Sequence, residues 1–170
     1  MEIRKGNPGD TEKFLSLLNL VKSRMDQEEW LYLDPPEEIR AMILNGSLEF
    51  WTAMDGNVLA AAFSVIHPGL TEINYGYDLG LDENDLLRVV NMDTIVVHPD
   101  YRGRGLQQIL MQIAEEDIRS SGNRILLCTI HPENHYSLHN TLAQGYSIQR
   151  KLAKYDSVRY ILRKDILEKL

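Results

Sequence analysis

The sequence predicts a mixed α/β fold in one domain spanning residues 1–170, and three observations carry that expectation. Short β-branched apolar runs alternate with segments of helical periodicity. One strand–turn–helix–strand unit stands out between Met92 and Ile130. At 170 residues, with 44% apolar and 25% charged residues, the chain is long enough to bury one substantial core.

"MEIRKG" opens as a short strand. Asp10 then stands at an N-cap position before Phe14, Leu17, Leu18 and Val21, which share a helical face. In "DPPEEIRAMILNG" Asp34 is the expected cap, Pro35 and Pro36 suit a first helical turn, and Ile39, Met42 and Ile43 form a face. Gly46 ends that helix. "LEFWTAMDGNVLAAAFSVIHP" reads as two strands around a tight turn at Asp55-Gly56. Residues 69–90 read as a long connection with a short helix at Leu86 to Val89. The strand "MDTIVV" follows, then an Arg/Gly turn and a helix with Leu106, Ile109, Leu110 and Ile113 on one face. Ser121-Gly122 stops it before the strand "RILLCTI". A helix from Pro132 to Gly145 and two strands near "YSIQRK" and "VRYILRK" complete the chain.

The net charge of −7 with dispersed basic residues argues against a nucleic-acid surface. The lone Cys128, within "RILLCTI", reads as a buried strand residue. No run reaches the roughly 18 apolar residues of a spanning helix, and no signal-peptide succession opens the chain, so a cytoplasmic protein without a membrane partner is expected. His131 and His135 lack metal-ligand spacing, and no metal is expected.

The Arg/Gly turn carries the chemistry. Where a strand feeds a helix, the first helical turn presents unpaired N–H groups and the positive end of the dipole, which favours an anion. Gly103 and Gly105 permit torsions and close approach that a side chain would block, while Arg102 and Arg104 add forked cationic donors. A Rossmann site would require three glycines and an acidic residue ending the next strand, and a P-loop would require Gly-Lys-Ser/Thr; neither is present. The turn is therefore read as a pyrophosphate cradle.

"TIVVHPDYRGRGLQQILM" resembles the acetyl-coenzyme-A-binding motif of the GNAT superfamily of N-acetyltransferases, Arg/Gln-x-x-Gly-x-Gly/Ala, at Arg102, Gly103, Arg104 and Gly105. A second family block, Asn-x-x-Ala/Ser followed by Gly-Phe/Tyr, is matched by Asn134, Ser137, Gly145 and Tyr146. The resemblance implies a twisted, mostly antiparallel sheet flanked by helices, in which the strand at Met92 to Val97 splays from that at Arg124 to Ile130. It implies acetyl-CoA as co-substrate. Backbone groups of Ile95 and Val97 would pair with the pantetheine arm, and the amides of Arg102 through Gln107, Leu106 included, would hold the pyrophosphate. Asn134 and Ser137 join the cofactor-binding set. Gln107 departs from the family, which has Gly or Ala there; it is read either as a solvated residue or as a polar contact to the cofactor.

Direct transfer to an amine requires a base, oxyanion donors and an acid for the leaving thiolate. An amine of reference pKa near ~10.4 must first lose a proton. The resemblance points to Asp93 as that base, and alternation places it on the face of Ile95 and Val97; a strand-end aspartate bonded to a loop stays open beside it. Oxyanion stabilisation falls to a backbone N–H near Val96 or Val97. The family's acidic tyrosine position is Thr141 here, a far weaker donor. Asn134, Ser137 and Thr141 share one helical face and Tyr136 points nearly opposite. Tyr155, Tyr160 and His139 are candidate substitutes, with solvent as another. The acidic, tyrosine-bearing segment 69–90 is the expected acceptor pocket.

The function so implied is acetyl transfer from acetyl-CoA to a primary amine of a small molecule or amino acid. Two alternatives stay open: a coenzyme-A-binding regulatory or sensor module without turnover, and acetylation of a protein N-terminus or lysine. The expected partner is a small-molecule amine, with a homodimer open as the assembly.

Overall fold

The computed structural model describes residues 1–168. Its strands are β1 (Glu2–Lys5), β2 (Leu48–Asp55), β3 (Val58–Ile66), β4 (Val89–Val97), β5 (Arg124–Ile130), β6 (Ser147–Lys154) and β7 (Ser157–Ile166). Its helices are α1 (Thr11–Ser23), α2 (Pro36–Asn45), α3 (Glu83–Leu86), α4 (Leu106–Arg119) and α5 (His135–Ala143). The strands form one sheet in the order β1-β2-β3-β4-β5-β7-β6. This is the mixed α/β, mostly antiparallel arrangement expected from the sequence. Contacts divide the chain into two compact units: Met1–Val65 with Thr94–Glu116, and Ile66–Asp93 with the chain from Asp117 onward.

In the first unit the core is set by aromatic stacking. Phe14 of α1 and Phe50 of β2 lie 4.8 Å apart with planes 9° from parallel, and burying each such side chain contributes about 1.5–3 kcal/mol. Gly6 donates its N–H to the Phe50 carbonyl at 2.7 Å. A Cβ there would stand 2.2 Å from the Phe50 ring, so close approach requires a glycine at this point.

In the second unit β5 pairs antiparallel with β7 along its whole length, Arg124↔Ile166 to Ile130↔Tyr160. Its parallel register with β4 runs over three pairs, from Val89↔Ile125 to Asn91↔Leu127. Ile125, Leu126 and Leu127 are fully buried, as a strand covered on both faces requires. Cys128 is buried too, and burial alone pushes its thiol up to about 12, which makes it an inert packing residue.

Several local expectations are corrected. Asp10 is the N-cap residue of α1, as expected, but makes no side-chain cap bond to it; its carboxylate accepts from Arg4 at 2.7 and 2.8 Å and from the Asn7 N–H at 2.9 Å. The Arg4 guanidinium holds that carboxyl below the usual range. Asn7 caps the 3-10 turn Pro8–Asp10 that leads into α1, its side chain accepting the Gly9 N–H at 2.8 Å. Pro35, not Asp34, is the N-cap of α2, because a proline already starts the helix without an N–H to satisfy. The β2–β3 turn is Gly56-Asn57, one residue later than expected. The short helix α3 precedes its expected place, capped by Asp82 through the Asp85 N–H at 2.9 Å. On α4 the buried face is Leu106, Gln107, Leu110, Met111, Ala114, Glu115 and Ile118, while Ile109 and Ile113 are 38% and 39% exposed. The four-residue steps 106–110–114–118 and 107–111 define that face.

Candidate functional site

The strand β4 is built to present one edge of side chains. Its second half alternates strictly: Met92, Thr94 and Val96 are buried, while Asp93, Ile95 and Val97 are half-buried on the opposite face. Asp93, Ile95 and Val97 therefore share a face, as expected.

Beyond β4 the chain turns at His98, whose Nδ1 accepts the Asp100 N–H at 3.1 Å and whose own N–H donates to the Ala60 carbonyl at 2.8 Å. His98 thus serves the turn. Tyr101 is anchored through its hydroxyl to Asp55 at 2.7 Å, and the Arg104 guanidinium lies 4.7 Å from the Tyr101 ring centre. Gly103 and Gly105 adopt φ of +77° and +70°, the left-handed region in which a side chain is strained. A Cβ at either glycine would meet no atom within 4 Å. The Gly105 carbonyl accepts from the Ile109 N–H at 3.1 Å, so Gly105 is the residue that starts α4. Having no side chain, it cannot cap the amides of Leu106, Gln107 and Gln108. Arg102, Gly103, Arg104 and Gly105 are all exposed. The turn thus brings together two exposed arginines, two left-handed glycines with open space around them and the start of a 14-residue helix. That donor set fits a pyrophosphate.

Gln107 is not a solvated residue. It is 7% exposed, and its Nε2 finds no hydrogen-bond partner. An orphaned buried amide is costly, so Gln107→Met, which keeps the length and removes the donor, is expected to raise unfolding stability by about 1 kcal/mol. Urea denaturation checks this; a loss of stability would show that the amide is satisfied in solution.

The second motif block divides differently. Asn134 caps α5 by accepting the Ser137 N–H at 3.4 Å, so both residues have a local structural role. Thr141 is 2% exposed and its carbonyl takes the N–H groups of Gln144 and Tyr146. Tyr136 is 69% exposed, on the side of α5 away from Thr141 as expected. Tyr146 is buried. His139 is exposed, and Tyr160 lies within the β5–β7–β6 pairing.

The segment 69–88 is ordered by two buried amides that periodicity does not reveal. Asn74 donates to the Gly69 and Leu86 carbonyls at 2.8 and 3.0 Å and accepts from the Gly76 N–H. Asn91 donates to the Ile73 carbonyl at 2.9 Å and accepts from the Tyr75 N–H at 3.3 Å. Tyr75, on the turn Tyr75–Leu79, is thereby buried against Val89, Ile125 and Leu127, with Tyr155 packed beside it. Asp78 does not await a ligand: it accepts from Lys154 at 2.8 Å. An open pocket of about 550 Å³ borders Tyr77 to Leu81, and Arg150 and Arg163 also line it. Two guanidiniums there disfavour an ammonium group.

Among the described residues no cluster of three or more His, Cys, Asp or Glu could hold a metal, and no helix is long and apolar enough to cross a membrane.

A family model described as acetyltransferase (GNAT) family matches residues 16–146. No curated protein matches the sequence. An acetyltransferase of the GNAT family from Streptococcus agalactiae superposes with a TM-score of 0.73 at 25% identity, covering 99% of this chain and 96% of its own. A putative acetyltransferase from Salmonella typhimurium, solved with its cofactor acetyl-CoA, gives 0.75 at 14% identity over 100% and 96%. A ribosomal-protein-alanine N-acetyltransferase from Brucella melitensis gives 0.72 at 16% over 96% and 99%.

Proposed function

The chain belongs to the acetyltransferase (GNAT) family, and from that premise we propose that it transfers the acetyl group of acetyl-CoA directly to the primary amine of a small molecule or amino acid, in the cytoplasm. The observation that carries the reading is the turn Arg102–Gln107, with two left-handed glycines and an uncapped helix start beside open space. Arg102 and Arg104 would neutralise the diphosphate of the cofactor, and the amides of Gly103 through Gln107 would donate to it. Ile95 and Val97 would offer backbone groups to the pantetheine arm, and the N–H of Val96 or Val97 would meet the oxyanion.

When bound, acetyl-CoA supplies an activated acyl group on a thiol of reference pKa near ~8.5, itself a fair leaving group. Asp93 would take the amine proton. Thr141 occupies the family's acid position but is buried and a weak donor; Tyr155, whose hydroxyl lies 2.9 Å from that of Tyr75, is a candidate in its place, with solvent as another. Asn134 and Ser137 would support the cofactor site through the α5 start they cap. The test is free-thiol release from acetyl-CoA across a panel of primary amines: release with small amines supports the reading, and release only with peptide N-termini would move the acceptor to proteins.

A further inference from the structure

Tyr101 ties the Arg/Gly turn to the hairpin of β2 and β3. Its hydroxyl donates at 2.7 Å to the carboxylate of Asp55, the last residue of β2 and 46 positions earlier in the chain. Its backbone N–H donates to the His98 carbonyl at 2.9 Å. The His98 and Tyr101 rings meet at right angles, with centres 5.6 Å apart, and the His98 N–H is in turn fixed to the Ala60 carbonyl of β3 at 2.8 Å. A half-buried ring is thus held at its hydroxyl, at its backbone and by a second ring.

The Arg104 guanidinium lies 4.7 Å from the centre of that ring. Among the described residues Arg104 makes no hydrogen bond and no ion pair, because the Asp55 carboxylate goes to the phenol instead. All five of its N–H donors therefore stay available to a ligand. Gly103 and Gly105 flank it, both left-handed, so neither neighbour has a side chain to restrain it. An exposed arginine in that setting samples many rotamers, and ordering it on binding is costly. A fixed ring on which the guanidinium stacks removes part of that cost beforehand. Arg102 has no such platform among the described residues, which makes Arg104 the pre-ordered donor of the pair.

We infer that Tyr101 is a positioning residue of the cofactor site: braced by Asp55 and His98, its ring holds the Arg104 guanidinium ready for the phosphate groups of acetyl-CoA. The inference rests on the acetyltransferase reading above, in which Arg104 neutralises the diphosphate. Tyr101 acts through Arg104, so its contribution exists only while that guanidinium is present.

Three substitutions in the full chain separate the parts. Tyr101→Leu removes the ring and the Asp55 bond while keeping apolar bulk. Tyr101→Phe keeps the ring and removes the hydroxyl alone. Arg104→Met removes the charge and keeps an unbranched stem. Calorimetric binding of acetyl-CoA is expected to weaken about three- to tenfold in Tyr101→Leu, from a lost cation–π contact and a lost pre-ordering. Tyr101→Phe should stay closer to the parent than to Tyr101→Leu. Adding Tyr101→Leu to Arg104→Met should cause no further loss. A second readout distinguishes this role from general damage to the fold: S-acetyl-pantetheine is a thioester donor without phosphate, and the preference for acetyl-CoA over it, as a ratio of kcat/KM values, should fall in Tyr101→Leu by the same factor as the affinity.

Unchanged acetyl-CoA affinity in Tyr101→Leu, an unchanged preference ratio, a Phe variant no better than the Leu variant, or a further loss on the Arg104→Met background would each overturn the inference. Failure of the parent protein to bind acetyl-CoA at all would instead sink the acetyltransferase reading.

Discussion

Asp93→Asn is expected to lower kcat by about 10²–10⁴-fold, the usual contribution of a positioned base, while acetyl-CoA affinity is retained. Asn keeps the size of the side chain and an acceptor oxygen but cannot take a proton. The half-buried position on the β4 face shared with Ile95 and Val97 allows the exchange without repacking. The pH profile carries the sharper information. With Asp93 present, kcat/KM should rise as the carboxylate loses its proton and then follow the amine. In Asp93→Asn the carboxylate limb should vanish, leaving only the rise toward the amine's own pKa, near ~10.4 for a lysine-like acceptor. Steady-state rates across pH check this, and an intact acidic limb in the variant would assign the base elsewhere.

Gly105→Val should sharply weaken the acetyl-CoA thermal shift while the protein stays folded. At φ +70° a β-branched residue is strained, and its side chain would fill the open space beside the start of α4. Each hydrogen bond to a charged group contributes about 1.5–3 kcal/mol, so displacing the diphosphate from even one donor should weaken binding by roughly ten- to a hundredfold. Gly46→Val provides the control. Gly46 is also left-handed, at φ +84° and with open space around it, but it ends α2. That variant should lose stability yet keep its cofactor response. Equal loss of binding in both variants would reduce the effect to backbone strain.

The Arg/Gly turn between β4 and α4 was legible in the sequence because its signal is chemical and local: two glycines, two arginines, and a change of periodicity across a few residues. The strands and most helices were legible for the same reason. What escaped depends on partners far along the chain. Asn74 and Asn91 order residues 69–88 through carbonyls up to 18 positions away, and no periodicity marks them. Tyr155-Asp156 contains no Gly or Asn yet adopts φ of +57° and +56°, so its left-handed turn is invisible to turn propensity; the Tyr155 hydroxyl bonds that of Tyr75, 80 residues away. Gln107 read as surface because glutamine at a helix start is commonly solvated, whereas the step to Met111 carries it onto the buried face. Within the acidic segment 69–90, composition alone does not show that Asp78 pairs with Lys154, 76 residues away.

The central claim is direct acetyl transfer from acetyl-CoA to a small primary amine. Free-thiol release measured with purified protein, acetyl-CoA and a panel of small amines, amino acids and peptides tests it most directly, with the acetylated product identified by mass. The account predicts release that depends on a small amine or amino acid and falls in Asp93→Asn. Saturable acetyl-CoA binding without thiol release from any amine would contradict it, and would leave a coenzyme-A-binding module in place of an enzyme.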